Sequence, residues 1–355
     1  MVLTVNRQKS SSFPIRTSKD FPIDYKVPAE FFIPAPVELT GWQAVLSEQW
    51  PKISLTLSQL FFLTVLITNT RRLSANPKSF EAIRLAFLAV TLFGIGWWAP
   101  GQLSINNIRG IINAAKSTGD FGFLLLDPVS TLLWVFVLIS LVIWGRGTFC
   151  GGLCPFGALQ EFVAIAGRRL KLPQLQVPYA VDRVLRVTKY IILAAIIGMT
   201  FVSTNAAEKI AEVEPFKTAI TLGFDRAWPY VLYGVAILVL SAFVFKGFCL
   251  YLCPLGAALA LLGRVRVFNW IPRRKECGTQ CQLCKARCSY GAIEPKGTIK
   301  YDECFQCMDC VVIYHDPKTC VAEVLARKGR TLKMPVPAGA QRKELRQAKT
   351  PEMAT

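Results

Sequence analysis

The sequence predicts an α-helical integral membrane protein of about five transmembrane helices with a small cysteine-rich domain at its C-terminal end, and three observations predict it. Of the 355 residues, 52% are hydrophobic and the mean hydropathy is +0.38, too apolar for an ordinary soluble domain. The apolar residues are gathered into segments of bilayer length. All twelve cysteines fall into two ordered sets, one at the edges of those segments and one beyond them.

Residues 1–52 form an arm of balanced charge with several prolines, which can be translocated without a large bias, so a periplasm-facing position is expected. The core, 53–263, holds five stretches that approach the roughly 20 residues needed to span a bilayer: about 53–70, 80–98, 123–144, 187–204 and 228–245. The second contains Glu81 and Arg84, so its embedded part begins near Leu85. No stretch lies behind a basic start and ahead of a small-residue cleavage site, as a cleaved signal peptide would.

A net charge of +18 could point to nucleic acid, but its distribution points to topology. The segment 164–190 carries Arg168, Arg169, Lys171, Arg183, Arg186 and Lys189 against Asp182 alone, and the first connection adds Arg71, Arg72 and Lys78. The connection 205–226 sets Glu208, Glu212, Glu214 and Asp225 against Lys209, Lys217 and Arg226. Alternate connections differ in basicity as the positive-inside rule requires, placing the N-terminus in the periplasm and the C-terminus in the cytoplasm of a bacterial inner-membrane protein. No nucleic-acid partner is expected, and no helix-turn-helix pattern supports one.

Within the core, Phe149-Cys150-Gly151-Gly152-Leu153-Cys154-Pro155-Phe156-Gly157-Ala158 and Phe248-Cys249-Leu250-Tyr251-Leu252-Cys253-Pro254-Leu255-Gly256-Ala257 are an internal repeat. Each follows a helix running inward, so both pairs are expected at the cytoplasmic membrane face. The i, i+4 spacing sets two sulfurs on one side of a helical turn, and proline limits how the backbone continues. Cys150, Cys154, Cys249 and Cys253 thus form a candidate metal or dithiol redox centre, against the alternative of small apolar residues packed between helices.

The domain 264–326 carries Cys277, Cys281, Cys284 and Cys288, then Cys304, Cys307, Cys310 and Cys320. This is close to the pattern of a bacterial two-cluster ferredoxin, in which three close cysteines grip one 4Fe-4S cluster and the fourth reaches the other. On that pattern Cys277, Cys281 and Cys284 share a cluster with Cys320, and Cys304, Cys307 and Cys310 share the second with Cys288. The first gap is one residue longer than usual, Ser289 replaces the proline after Cys288, and Cys320 stands far from Cys310; no ligand is lost. A zinc ribbon is the alternative, but zinc has no use for a third close cysteine in each run. The segment has too little apolar sequence for a core of its own, so metal is expected to supply folding energy. Residues 327–355 are basic and apolar-poor, a disordered cytoplasmic tail.

His315 is the single histidine and reads as a solvent-facing loop residue, so no bis-histidine haem can be built within the chain. No dinucleotide or P-loop pattern is present. Trp97, Trp98, Gln102, Asn106 and Asn107 lie at the predicted outer interface, where they could meet a quinol head or serve as ordinary anchors.

Trp144-Gly145-Arg146-Gly147 leading into the first cysteine repeat and on to Leu159-Gln160-Glu161 resembles the NosR/NirI family of membrane proteins. The stretches Gln102-Leu103-Ser104, Leu126-Asp127-Pro128, Ala211-Glu212-Val213-Glu214-Pro215-Phe216-Lys217-Thr218-Ala219-Ile220 and Leu252-Cys253-Pro254-Leu255-Gly256-Ala257-Ala258-Leu259 extend the likeness to about residues 55–325. The resemblance implies an accessory electron-transfer protein of denitrification that supports nitrous oxide reductase, with paired 4Fe-4S clusters on the cytoplasmic side; members are also described as regulators of expression. Such proteins carry a periplasmic flavin-binding domain ahead of the membrane core, and the arm here is too short for one. No flavin is therefore expected within this chain; it comes from a separate periplasmic flavin-binding protein, as a partner, or is absent. The expected function is passage of electrons between cytoplasmic or quinol donors and a periplasmic flavoprotein or metalloenzyme. The rival readings are a copper-reducing assembly factor, as in relatives with the same cysteine pairs, and a redox-sensing regulator.

Overall fold

The computed structural model describes residues 2–8, 16–22 and 41–329, apart from 75, 102, 118–126, 176, 275 and 279–280. Gln102, Leu126 and the tail from 330 onward, all named above, lie outside the described residues. Two units are present, Met1–Val45 and Leu46–Thr355. The first contains an antiparallel hairpin, β1 (Val2–Gln8) and β2 (Arg16–Pro22), with Val2 opposite Pro22 and Gln8 opposite Arg16. The sequence reading gave the arm no strand, although Val2, Thr4 and Val5 are β-branched residues that favour one.

The second unit is helical. Among its described residues, α1 (Gly41–Thr68), α2 (Pro77–Val90, continuing as a π-helix over Thr91–Trp98) and α3 (Ile105–Ser117) are followed by α4 (Pro128–Ile143), α5 (Pro155–Arg169) and α6 (Tyr179–Val202). After α7 (Thr204–Ala211) come α8 (Trp228–Phe243), α9 (Gly247–Tyr251) and α10 (Pro254–Leu262). Proline opens α2, α4, α5 and α10 in the first turn, where its missing N–H costs nothing. Asp127 caps α4 through Ser130 N at 3.2 Å.

Three helices, Gln43–Thr68, Pro77–Trp98 and Ala180–Val202, are long and apolar enough to cross a membrane. The other two expected spans, α4 and α8, have 16 residues each, about 24 Å at the helical rise and short of the roughly 30 Å hydrocarbon core. Their shortness has a local cause. Backbone turns with φ +95° at Gly145 and +49° at Lys246 end each helix, and the chain folds back into the bundle through a cysteine repeat before α5 and α10 return. The course of α5 shows this. A Cβ on Gly96 would lie 2.8 Å from Pro155 at the start of α5, whereas Arg84, nearer the start of α2, pairs with Glu161 further along α5 at 2.5 Å.

The cysteine-rich segment, with α11 (Leu283–Arg287), α12 (Asp309–His315) and α13 (Val321–Arg327), shares the helical core. Tyr290, Tyr301, Phe305, Met308 and Val311 are buried in one apolar cluster with Phe149, Phe156, Phe216 and Phe248. The segment therefore gains folding energy from docking as well as from any metal. His315 ends α12 instead of lying in a loop.

Candidate functional site: a chain of cysteine sites

In the C-terminal segment, Cys284, Cys288, Cys304, Cys307 and Cys310 line one cavity with Ile271, Tyr290 and Met308, so it takes in one cysteine of the first predicted set beside those of the second. Burial pushes the Cys304 thiol up to about 11 and raises Cys307 and Cys310 as well. A coordinating metal removes that proton outright, so a ring of partly buried, reluctant thiols suits a thiolate-ligated group. Cys277 and Cys281 are joined by a backbone bridge, and burial raises the neighbouring Cys284 thiol, with Cys277 and Cys281 adding to the effect. Cys320, buried at the start of α13, lies near Arg274, just ahead of Cys277. The backbones of Gly278 and Gly297 cross so closely, both at positive φ, that a Cβ on either would strike the other strand. Among the described residues no three His, Cys, Asp or Glu side chains close on the spacing that holds a single ion; a cluster spreads its ligands wider.

Inside the bundle, Cys150, Cys154, Cys249 and Cys253 are all buried, with exposures of 5–8%. Cys154 and Cys253 serve as N-caps, their sulfurs accepting from Gly157 N (3.4 Å) and Gly256 N (3.2 Å). The positive ends of α5 and α10 thereby face sulfur. Gln160 Nε2, from the first repeat's helix, donates to Cys249 Sγ of the second at 3.0 Å, while Gln160 Oε1 accepts from Ser241 at 3.1 Å. Arg146, Lys189 and Lys246 direct positive charge at Cys150.

The expected position of these pairs, at the cytoplasmic face, needs correction. Leu255 N donates to Glu214 Oε1 at 3.3 Å and Ile105 N to Glu214 Oε2 at 3.0 Å, and a Cβ on Gly96 would lie 3.4 Å from Ile220 as well as against Pro155. Residues from the connection predicted to face the other side thus reach the repeats, which lie between the two ends of the bundle. Hydropathy alone cannot reveal a chain that enters and returns.

Phe305 links the two cysteine systems. It is fully buried directly after Cys304, stacks on Tyr290 at 4.5 Å, and has Arg146 at 4.8 Å and Lys246 at 5.8 Å over its ring. Its carbonyl fills the place of a side chain at Gly151, next to Cys150. Two buried ion networks flank it. Glu303 meets Lys189 (2.8 Å), Arg186 (3.1 Å) and Arg146 (3.5 Å), with Asp182 on Arg186 at 2.8 Å. Glu161 meets Arg84 (2.5 Å) and Lys246 (2.9 Å), with Asp309 also facing Arg84. Sequence reasoning missed these groups. It counted Lys189 among loop charges, yet the side chain is fully buried.

Among the residues considered for a quinol site, Trp97 donates to Ala219 O at 3.2 Å, Asn106 accepts from Arg109 at 2.8 Å and Asn107 from Ser104 N at 3.3 Å. They are engaged within the protein, and Trp98 is half exposed.

The family model for NosR matches residues 275–331, and one described as a 4Fe-4S binding domain matches twice, over 126–173 and 227–275, each time across one cysteine repeat. The regulatory protein NosR of Pseudomonas aeruginosa is 45% identical over 294 residues, 83% of this chain and 41% of that protein. NosR of Stutzerimonas stutzeri is 40% identical over 96% of this chain and 48% of its own length. Protein NirI of Paracoccus denitrificans is 39% identical, with shares of 93% and 48%. The chain thus spans a little under half the length of these relatives. No solved structure matches.

Proposed function

The chain belongs to the NosR/NirI family, and from that premise we propose that it is a membrane electron carrier with iron-sulfur centres on both sides of Phe305. Two 4Fe-4S clusters are held by the eight C-terminal cysteines, shared as the spacing predicts. A further redox centre is held by Cys150, Cys154, Cys249 and Cys253. Electrons pass between cytoplasmic or quinol donors and a periplasmic flavoprotein or metalloenzyme, in support of nitrous oxide reductase.

The observation that carries this reading is the fully buried Phe305, with Cys304 as its chain neighbour and Gly151 against its carbonyl. This packing sets the chain neighbour of Cys304 directly against the turn that carries Cys150. In the Glu303 network the cations Arg146, Lys189 and Arg186 outnumber the carboxylates Glu303 and Asp182, whereas Glu161 and Asp309 match Arg84 and Lys246 in the other. Buried cations without matching anions are costly, and thiolate-ligated iron supplies negative charge beside them.

Iron and acid-labile sulfide in anaerobically purified protein test this reading. Three four-iron clusters give about twelve irons, and two clusters with a dithiol quartet give about eight. Replacing any one quartet cysteine by alanine is expected to abolish electron delivery while both C-terminal clusters keep their spectra. Normal delivery in a variant lacking all four thiols would remove the quartet from the route. Stoichiometric zinc without sulfide would remove the clusters altogether.

The proposed orientation has its own check. Reporter fusions at Glu212 are expected to read periplasmic, and fusions at Arg169 and after Cys320 cytoplasmic. A cytoplasmic signal at Glu212 would invert the protein.

A further inference from the structure

We propose that Arg273 serves both C-terminal clusters at once, its guanidinium offering N–H groups to sulfur on each and raising the reduction potential of both. The inference rests on the reading of the eight cysteines as two cluster sites. Two arginines stand side by side ahead of Cys277, and the structure uses them differently. Arg274 pairs with Glu323 at 2.8 Å and lies over the Tyr314 ring at 4.7 Å. Arg273 forms no such ion pair among the described residues; it bonds the thiol of Cys284, of the first predicted set, and faces Cys304 and Cys310 of the second.

Its Nε and Nη2 are buried with no hydrogen-bond partner in the protein. An unsatisfied buried donor is destabilising, so two such groups call for an acceptor that the polypeptide does not provide. Cys284, Cys304 and Cys310, the cysteines Arg273 acts on, line one cavity and come from both predicted sets, which makes cluster sulfur the acceptor that fits. The backbone holds the side chain there, because Ile271 lines the cluster cavity and its N–H donates to Tyr301 Oη at 3.0 Å. Reduction adds one electron to a cluster, and a fixed cation with N–H groups on its sulfurs favours the more negative state; hydrogen bonds to sulfur are an established determinant of these potentials.

The test is an EPR-monitored redox titration of the full-length protein in detergent, for the parent, Arg273→Gln and Arg273→Lys, with iron and sulfide measured on each. Arg273→Gln is expected to keep the parent iron content while both C-terminal midpoints fall, by about a tenfold weaker electron affinity or 59 mV for a one-electron couple. Arg273→Lys keeps the charge and loses the fork, so both midpoints should fall by less. Unchanged midpoints in a loaded Arg273→Gln protein, or movement of one cluster only, overturns the proposal. Should Arg273→Gln fail to load, Arg273→Lys decides, and parent-like midpoints in it are equally fatal. Zinc without sulfide in the parent would be failure of the cluster reading instead, visible before any variant is made.

Discussion

Gly151→Ala is expected to uncouple the C-terminal clusters from the buried quartet. One methyl at this position runs into the Phe305 carbonyl, and the neighbouring Phe305 carbonyl carbon is only 3.0 Å away. Both are backbone atoms, so no side-chain rotation relieves the clash. Overpacking of a filled core costs about 1–3 kcal/mol and occasionally more, and the cheapest relief is to lift the turn around Phe305 away from the bundle. The expected outcome is a protein that keeps its C-terminal iron, measured by absorbance and EPR, and no longer passes electrons to the quartet in rapid-mixing experiments. Gly198→Ala is the matched control. It sits within α6 with nothing inside 4 Å of its added Cβ, and should be neutral or stabilise by about 0.4–1 kcal/mol. Parent-like electron transfer in Gly151→Ala would mean that the contact with Phe305 is not on the path.

Glu303→Gln carries the second large effect. The carboxylate is the only acidic partner of the fully buried Lys189 among the ion pairs of the described residues, bonding it at 2.8 Å, and it also holds Arg186 and Arg146. Removing one member of a buried ion network leaves uncompensated charge and costs about 3–5 kcal/mol. Unfolding in detergent, followed by the loss of cluster absorbance with temperature or denaturant, should shift by that amount. Lys300→Gln, which breaks a half-exposed pair with Glu294 at 3.2 Å, should shift it by no more than about 1 kcal/mol. Equal effects of the two changes would show that the Glu303 network is not holding the segment to the helices.

The convergence of the cysteines was legible because their spacing is written locally. Triplets such as Cys304, Cys307 and Cys310 reach one cavity through a few intervening residues, and the repeat of Cys-Pro before α5 and α10 announced two equivalent helix starts. The networks were illegible because they join distant parts of the chain: Glu303 is 114 residues from Lys189 and 157 from Arg146. A charge near a helix start in sequence looks like a loop charge until the partner that buries it is known. The contacts of the repeats with the 205–226 connection were illegible for a related reason. An apolar window records how much greasy chain there is, and the same composition serves a helix that crosses and one that turns back at Gly145 or Lys246. Arg273 could have been noticed as one of the basic residues shortly before Cys277, but which of Arg273 and Arg274 faces inward depends on Tyr314 and Glu323, about 40 residues or more further along the chain.

The burial of Phe305 and Glu303 also bears on how such a carrier meets its partners. Some redox proteins deliver electrons by swinging a tethered carrier domain between donor and acceptor. Here the cysteine-rich segment is fastened by an aromatic ring and a carboxylate sunk into the helices, and lifting it would expose Phe305, Tyr290 and Met308 to water at about 1.5–3 kcal/mol apiece, besides stranding Lys189. The segment is a fixed terminal, not a shuttle. On the proposed function, throughput should then follow the concentration of whatever partner meets its outer surface and the salt that screens their encounter.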